Sequence, residues 1–299
     1  MTDTETEITA DLVRDLLQEQ HPDLAGLTVR EVAGGWGNQM WRLGDELAVR
    51  MQRMDPTPEL QLKERRWLPE LAPRLPLPVP TPVRCGEPSE RFPKHWTVMT
   101  WVPGEPLDLG TISRGAHAAD TLAGFLRALH LPAPADAPVG RDRGAHPRDC
   151  TDGFEHFLRS VALDDDAAPA VRAVWDDAVA APAWDGPAVW VHGDLHPANV
   201  VVADGTLAGV VDFGDLFAGD PAWDLAAAWV LLPAGTAARF FDAYARADEA
   251  AIRRARGLAA MKSLFLMLMG QNGARGLPGG KPTWGPAGRA ALDRVLTGA

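Results

Sequence analysis

Cysteine is nearly missing from this chain of 299 residues: Cys85 and Cys150 are the two, and they form no metal or redox motif. They read as reduced, incidental thiols. Basic residues are in deficit, with 29 Lys and Arg against 40 Asp and Glu, for a net charge of -11. That balance argues against nucleic acid and anionic membranes as partners, and it is compatible with a cationic small molecule. No apolar run approaches the length of a membrane span, and the most apolar stretch, Leu264 to Met269, is short and follows Lys262. The N-terminal MTDTETEITADLV is acidic and polar, the reverse of a secretory signal, so a cytoplasmic protein is expected. No internal repeat is evident. What the chain does have is apolar material, 46% of its residues, enough to bury a substantial core in one large or two smaller domains.

The most informative stretch runs from Val189 to Trp229. Val189-Trp190-Val191 leads into the polar His192-Gly193-Asp194-Leu195-His196-Pro197-Ala198-Asn199. Val200 to Val202 then turns at Ala203-Asp204-Gly205, Leu207 to Val211 returns, and Asp212-Phe213-Gly214 closes the unit. An Asp-Gly turn between two β-branched runs predicts a hairpin. The hairpin sets Asn199 at the start of one strand beside Asp212 at the end of the other, with Asp194 on the entering loop. An amide and a carboxylate at adjacent strand ends make an oxygen-rich pocket that suits Mg2+. A further carboxylate on the loop can accept the proton of a hydroxyl. The order D-x4-N followed by D-F-G matches the phosphoryl-transfer signature of kinases, with His-Gly-Asp in place of His-Arg-Asp.

Upstream, Leu27 to Val32 and Gln39 to Leu43 read as strands around Ala33-Gly34-Gly35-Trp36-Gly37-Asn38. Glycines there let backbone N–H groups approach phosphates closely, although any hairpin turn has a similar composition. Leu47 to Met51 is the next strand, and alternation puts Ala48 and Arg50 on one face. Thr57-Pro58 opens a helix that carries Glu64 on its apolar side with Leu60, Trp67, Leu68 and Leu71. A carboxylate there needs a cationic partner, and Arg50 is the candidate, with Arg65 or Lys63 as the alternative. Helices are expected over 8–20, 116–131, 152–162, 168–179, 236–246, 249–269 and 287–296, and a mobile Gly/Pro-rich segment over 272–286. Asp220 with Pro221 opens another helix, and Asp220 is suited to brace the loop of Asp194, with Asp224 in a supporting place. Asp149, Asp152, Glu155 and the run Asp164-Asp165-Asp166 are acidic enough to attract a polycation, but a solvated loop has the same composition.

The motifs HGDLHPANVV, VVDFGD and GDPAWDLA together resemble the aminoglycoside phosphotransferase family, small-molecule relatives of the protein kinases. The resemblance is strong from Val189 to Trp229 and fair from Gly34 to Gly104. It implies an α+β, two-lobed protein-kinase-like fold: a small antiparallel-sheet lobe over 1–102 and a mainly helical lobe over 103–299, with nucleotide and Mg2+ in the cleft between. It further implies Asp194 as catalytic base and Asn199 and Asp212 as Mg2+ ligands. Gly34, Gly35, Gly37, Ala48, Arg50 and Glu64 fall to the nucleotide phosphates, and Thr100, Trp101 and Val102 to a hinge that offers backbone hydrogen bonds to the purine edge. Arg50 stands where the protein-kinase pattern has lysine, the chief departure. The donor is ATP or GTP, and the acceptor is a hydroxyl of a small molecule. A cationic aminoglycoside is preferred, which would make the activity antibiotic resistance. A macrolide, a metabolite such as choline or homoserine, or a nucleotide-binding pseudokinase are the alternatives. A monomer or weak dimer is expected.

Overall fold

The computed structural model describes residues 7–32, 37–53, 59–140, 143–164 and 166–298. The chain divides into two compact units, one holding residues up to Arg74 with Pro78–Val102, the other Leu75–Leu77 with Pro103 onward.

Unit 1 begins with helix α1 (Ala10–Gln20), capped by Thr9, whose side chain accepts from the Leu12 N–H at 3.2 Å. At 11 residues α1 is too short to stand alone. Val13, Leu16 and Leu17 hold it by full burial, at roughly 1.5–3 kcal/mol per side chain. Strands β1 (Val29–Val32), β2 (Asn38–Leu43) and β3 (Leu47–Gln52) follow, then helix α2 (Glu59–Leu71) and strands β4 (Pro82–Gly86) and β5 (Trp96–Thr100). The strands pair antiparallel in the order β1-β2-β3-β5-β4. Period-two alternation is visible in β2, where Gln39, Trp41 and Leu43 are buried and their neighbours half-buried. Trp41, Leu43, Val49, Met51, Trp96 and Val98 form one core with α1. The expected Thr57-Pro58 start of α2 lies outside the described residues.

Unit 2 holds β6 (Glu105–Pro106), α3 (Gly115–Leu129), α4 (Thr151–Ser160), α5 (Ala167–Ala180) and β7 (Val189–Val191). Then come β8 (Val200–Ala203), β9 (Thr206–Val210) and β10 (Phe217–Gly219). The short helices α6 (Ala222–Leu225), α7 (Ala227–Val230) and α8 (Ala237–Tyr244) lead to the long α9 (Glu249–Ala274) and to α10 (Trp284–Thr297). Two small sheets, β6-β8-β9 and β10-β7, carry the loops of interest, and α9 packs against α5, α6 and α10. The segment between α9 and α10 is shorter than its composition suggests. It turns back on the end of α9, with the Leu277 N–H on the Asn272 carbonyl and the Lys281 N–H on that of Met269, both 2.9 Å. Among the described residues no helix is long and apolar enough to cross a membrane. The α+β class read from the sequence is the one observed: a five-stranded antiparallel sheet first, then a mainly helical part.

Candidate active site

The hairpin forms as its sequence dictates. Asp204 and Gly205 both adopt positive φ, 51° and 72°, the two-residue turn that matches strand twist. β8 and β9 pair antiparallel from Val200 opposite Val210, and the Val211 N–H donates to the Asn199 carbonyl at 2.9 Å. Asn199 closes a 3-10 turn, Pro197–Asn199, whose cap is His196: its Nδ1 accepts from the Ala198 N–H at 3.2 Å. His196 therefore organises the turn. Asn199 is buried and donates from Nδ2 to the Asp194 backbone oxygen at 3.0 Å and faces Asp194 Oδ2 at 3.4 Å. Asp212 lies two residues past β9 with φ 62°, a left-handed conformation that a non-glycine residue holds only when its surroundings demand it.

The loop of Asp194 is fixed from beneath by Asp224. Its carboxylate accepts from the N–H of His192 at 2.7 Å and of Gly193 at 2.9 Å, and lies 3.2 Å from His130 Nε2. His130 Nδ1 in turn meets the Tyr244 hydroxyl at 2.8 Å. Burial works to raise the Asp224 pKa, but the hydrogen bond and charge of His130, aided by His192 and Lys262, outweigh it and hold the carboxyl low. The bracing expected of Asp220 thus falls to Asp224. Asp220 instead caps α6 through the Ala222 N–H at 2.9 Å and pairs with buried Arg254 at 2.7 Å. Burial lowers the His192 pKa against the pull of the Asp224 carboxylate. The His192 ring accepts from the Asp194 N–H at Nδ1 and donates from Nε2 to the Val211 carbonyl at 3.0 Å. Gly193 explains the departure from His-Arg-Asp. Its φ is 84°, and a Cβ would lie 2.8 Å from the Phe217 ring and 2.9 Å from the Asp215 carbonyl.

Asp194 is partly exposed. Burial works to raise its pKa, but His196 and the charges of Arg143 and Lys262 prevail, and the carboxyl lies far below the ordinary range. A carboxylate held in its ionised form can accept a hydrogen bond from a hydroxyl. Lys262 comes from α9 and donates to the carbonyls of Leu195 at 3.3 Å and Trp223 at 3.5 Å; burial lowers its pKa against the pull of Asp194, Asp224 and Asp215. Asn199 and Asp212 supply an amide oxygen and a carboxylate, hard donors of the kind Mg2+ takes. Among the described residues no group of three or more His, Cys, Asp or Glu is arranged to hold a metal. A two-ligand site that substrate phosphates and water complete is the usual form for Mg2+ at a nucleotide.

In unit 1, Arg50 and Glu64 are both buried, and Arg50 Nη1 lies 2.5 Å from Glu64 Oε2. The alternative partner is engaged elsewhere: Arg65 donates to the carbonyls of Gly86 at 2.9 Å and Trp96 at 2.7 Å. Ala48 is buried on β3 opposite Met99. Gly34 and Gly35 lie outside the described residues. Gly37 starts the return into β2, and a Cβ there would meet nothing within 4 Å among the described residues. Two of the amides at the expected hinge are engaged within the chain. The Thr100 N–H donates to the Thr81 carbonyl at 2.9 Å and the Trp101 N–H to the Glu46 carbonyl at 2.7 Å, because β5 is an inner strand with neighbours on both sides. Of the three hinge amides, Val102 alone is then a candidate for the purine edge.

Two residues at the site escaped the sequence reading. Lys262 carried a signal, a lysine within an apolar helical run. Arg143 carried none, since it lies in a stretch without periodicity, yet its Nη1 forms ion pairs with Asp194 Oδ1 and, at 2.9 Å, with Asp215 Oδ2.

The description "phosphotransferase enzyme family" belongs to a family model that matches residues 28–258. Among curated proteins no sequence matches this chain. Similar solved structures include the GDP complex of aminoglycoside 2'-phosphotransferase-IIIa, at TM-score 0.68 and 18% identity, covering 96% of this chain and 98% of that one. The apoenzyme of macrolide 2'-phosphotransferase MphH from Brachybacterium faecium aligns at TM-score 0.61 and 22% identity over 95% and 98%. A streptomycin–ATP complex of APH(2")-IIa aligns at TM-score 0.57 and 16% identity over 91% and 95%. At these identities the structural likeness speaks for the fold alone. The match of the family model spans most of the sequence, including every described residue of the Asp194 loop, and the chain belongs to the phosphotransferase enzyme family.

Proposed function

We propose that this protein is a Mg2+-dependent small-molecule kinase that moves the γ-phosphoryl group of ATP or GTP to a hydroxyl of an antibiotic, and so confers resistance. The observation that carries this reading is the junction of Asp194 with Asn199, 3.0 Å and 3.4 Å apart, at the mouth of the hairpin that ends in Asp212. When bound, Mg2+ would neutralise the charge that builds on the transferring phosphoryl group. Asn199 and Asp212 are the residues to hold it. Asp194 orients the acceptor hydroxyl and takes its proton as the bond to phosphorus forms. A low pKa suits the first task, and the loose character of such transfers makes the second a late one. Arg50 (steadied by Glu64), Ala48 and the glycines of 34–37 are assigned to the nucleotide phosphates, and Val102 to the base. Arginine in place of lysine keeps the charge and adds a second donor edge.

Nucleotide complexes and aminoglycoside or macrolide names among the solved relatives support this class of reaction without choosing the acceptor. The test is a transfer screen: purified protein with Mg2+ and ATP or GTP against aminoglycosides, macrolides, peptide antibiotics and amino alcohols, products read by mass. A gain of one phosphate on one class names donor and acceptor together. Asp194→Asn is expected to retain nucleotide affinity and to lose transfer by roughly a hundredfold or more. Equal loss of both would make Asp194 structural and remove the proposed mechanism.

A further inference from the structure

We propose that Arg143 is a specificity-determining residue that excludes polycationic acceptors, so that the compound phosphorylated is a hydroxyl compound with an apolar face and at most one positive charge. The inference rests on the phosphotransferase reading above and refines its acceptor.

Arg143 is not a wandering surface side chain. Its loop is fastened to the catalytic segment at several points. The Ala218 N–H of β10 donates to the Pro138 carbonyl at 2.7 Å, and Val139 bridges Ala218. Trp223 Nε1 donates to the Ala145 carbonyl at 3.0 Å. Gly140 and Gly144 let the loop lie on the Phe217 ring: Cβ atoms there would come within 3.0 Å and 2.6 Å of it. Gly144 also has φ 101°. The same ring excludes a Cβ at Gly193, beside Asp194. Thus one phenyl group registers the arginine loop against the base loop, and the guanidinium lands on Asp194 Oδ1 and Asp215 Oδ2.

The charge consequences are direct. An aminoglycoside is recognised by unpaired carboxylates around its ammonium groups. Here Asp215 shares Arg143 with the base, and Glu155 is paired with Arg172 and with Arg159 at 3.6 Å. Asp177 and Asp220 are held by Arg253 and Arg254. An ammonium brought to Asp194 would meet a fixed like charge within a few ångströms, at an energy that ordinary screening does not remove. A run of aromatic rings leads away from the base instead, buried at His196 and Trp284 and reaching solvent at Phe265 and Phe157. His196, whose Nε2 is 3.6 Å from Asp194 Oδ2, lies 4.6 Å from the Trp284 ring. Trp284 is followed by Phe265 at 6.4 Å and Phe157 at 5.6 Å, centroid to centroid, and both phenylalanines are partly exposed. An apolar face on the acceptor has a wall to lie against.

The test is titration calorimetry of the full chain, without nucleotide turnover, using kanamycin as the polycation and erythromycin as the apolar monocation. The wild-type protein is expected to bind erythromycin more tightly than kanamycin. Arg143→Ala is expected to gain at least about tenfold in kanamycin affinity and to change by less than about threefold for erythromycin, the size of one close like-charge contact removed. Arg143→Lys keeps the charge and should keep the exclusion, which separates charge from a packing defect. Kanamycin affinity unchanged or reduced in Arg143→Ala overturns the proposal, as does tighter wild-type binding of kanamycin than of erythromycin. Failure of the kinase reading has its own signature, no phosphate transferred to any compound of the screen, and leaves the kanamycin comparison readable.

Discussion

Asp224→Ala is the perturbation whose size the structure fixes best. The carboxylate is fully buried and takes donors from His192 N–H at 2.7 Å, Gly193 N–H at 2.9 Å and His130 Nε2 at 3.2 Å. Alanine strands both backbone donors in the interior, at about 1–3 kcal/mol each. It also leaves His130 without its carboxylate, and breaking a buried pair from one side costs about 3–5 kcal/mol in comparable cases. Because the donors share one acceptor the terms do not simply add, so the expected loss is about 3–5 kcal/mol, a large share of the stability of an ordinary domain. Asp224→Asn keeps one acceptor oxygen and should lose roughly half as much. Urea unfolding followed by tryptophan fluorescence measures the difference, and hydrogen exchange at the His192 and Gly193 amides locates it. The pH dependence carries a sign. The folded pKa of Asp224 is depressed, so its contribution is complete above the unfolded value of about 3.9 and is lost as pH falls through the folded one. Wild type and Asp224→Asn should therefore converge in stability on acidification. A loss under about 1 kcal/mol for alanine, with exchange at the two amides unchanged, would refute the bracing role.

Arg50→Ala removes the guanidinium from buried Glu64 and is expected to destabilise unit 1 by about 3–5 kcal/mol, with Arg50→Lys recovering part of it; denaturant midpoints decide. If Arg50 also serves the phosphates, Arg50→Lys should retain most of the nucleotide affinity measured by calorimetry, and unchanged affinity in Arg50→Ala would take it off the nucleotide. Gly144→Ala forces φ 101° on a residue with a side chain and drives a Cβ to 2.6 Å from the Phe217 ring. A loss of about 1–3 kcal/mol in a melting experiment is expected, and a neutral result would mean that the Arg143 loop is not registered by Phe217.

Much of this was legible in the sequence where the determinants are local. The Asp204-Gly205 turn, the β-branched runs on either side and the D-x4-N spacing each act within a few residues, and they yield the hairpin as read. The Arg50–Glu64 pair could be read because strand and helix periodicity each pointed one side chain inward. Strand neighbours are a different matter. Nothing in Thr100-Trp101-Val102 says that Thr81 and Glu46 will take its first two amides, since strand order is settled by the whole sheet. The choice between Asp220 and Asp224 as brace turned on one turn of helix: both follow Gly219, and Arg254 of distant α9 claims the first.

The same division explains why the chain announces its reaction and conceals its acceptor. The residues proposed as base and metal ligands, with Gly193 beside Asp194, lie within residues 192–212, so they form a contiguous motif. The groups proposed to meet an acceptor come from separate places: Arg143 from a loop before α4, Phe157 from α4, Phe265 from α9 and Trp284 from α10. Phe265 and Trp284 fall beyond residue 258, where the family match ends. Charge around the base is likewise set by pairs that no spacing predicts, Arg143 with Asp215 and Arg172 with Glu155. A net charge of -11 suggests a taste for cations, yet Asp194 and Asp215 already share an arginine. Composition averages over the surface, whereas an acceptor meets only the charges beside Asp194, and the proposed exclusion of a polycation rests on Arg143 there.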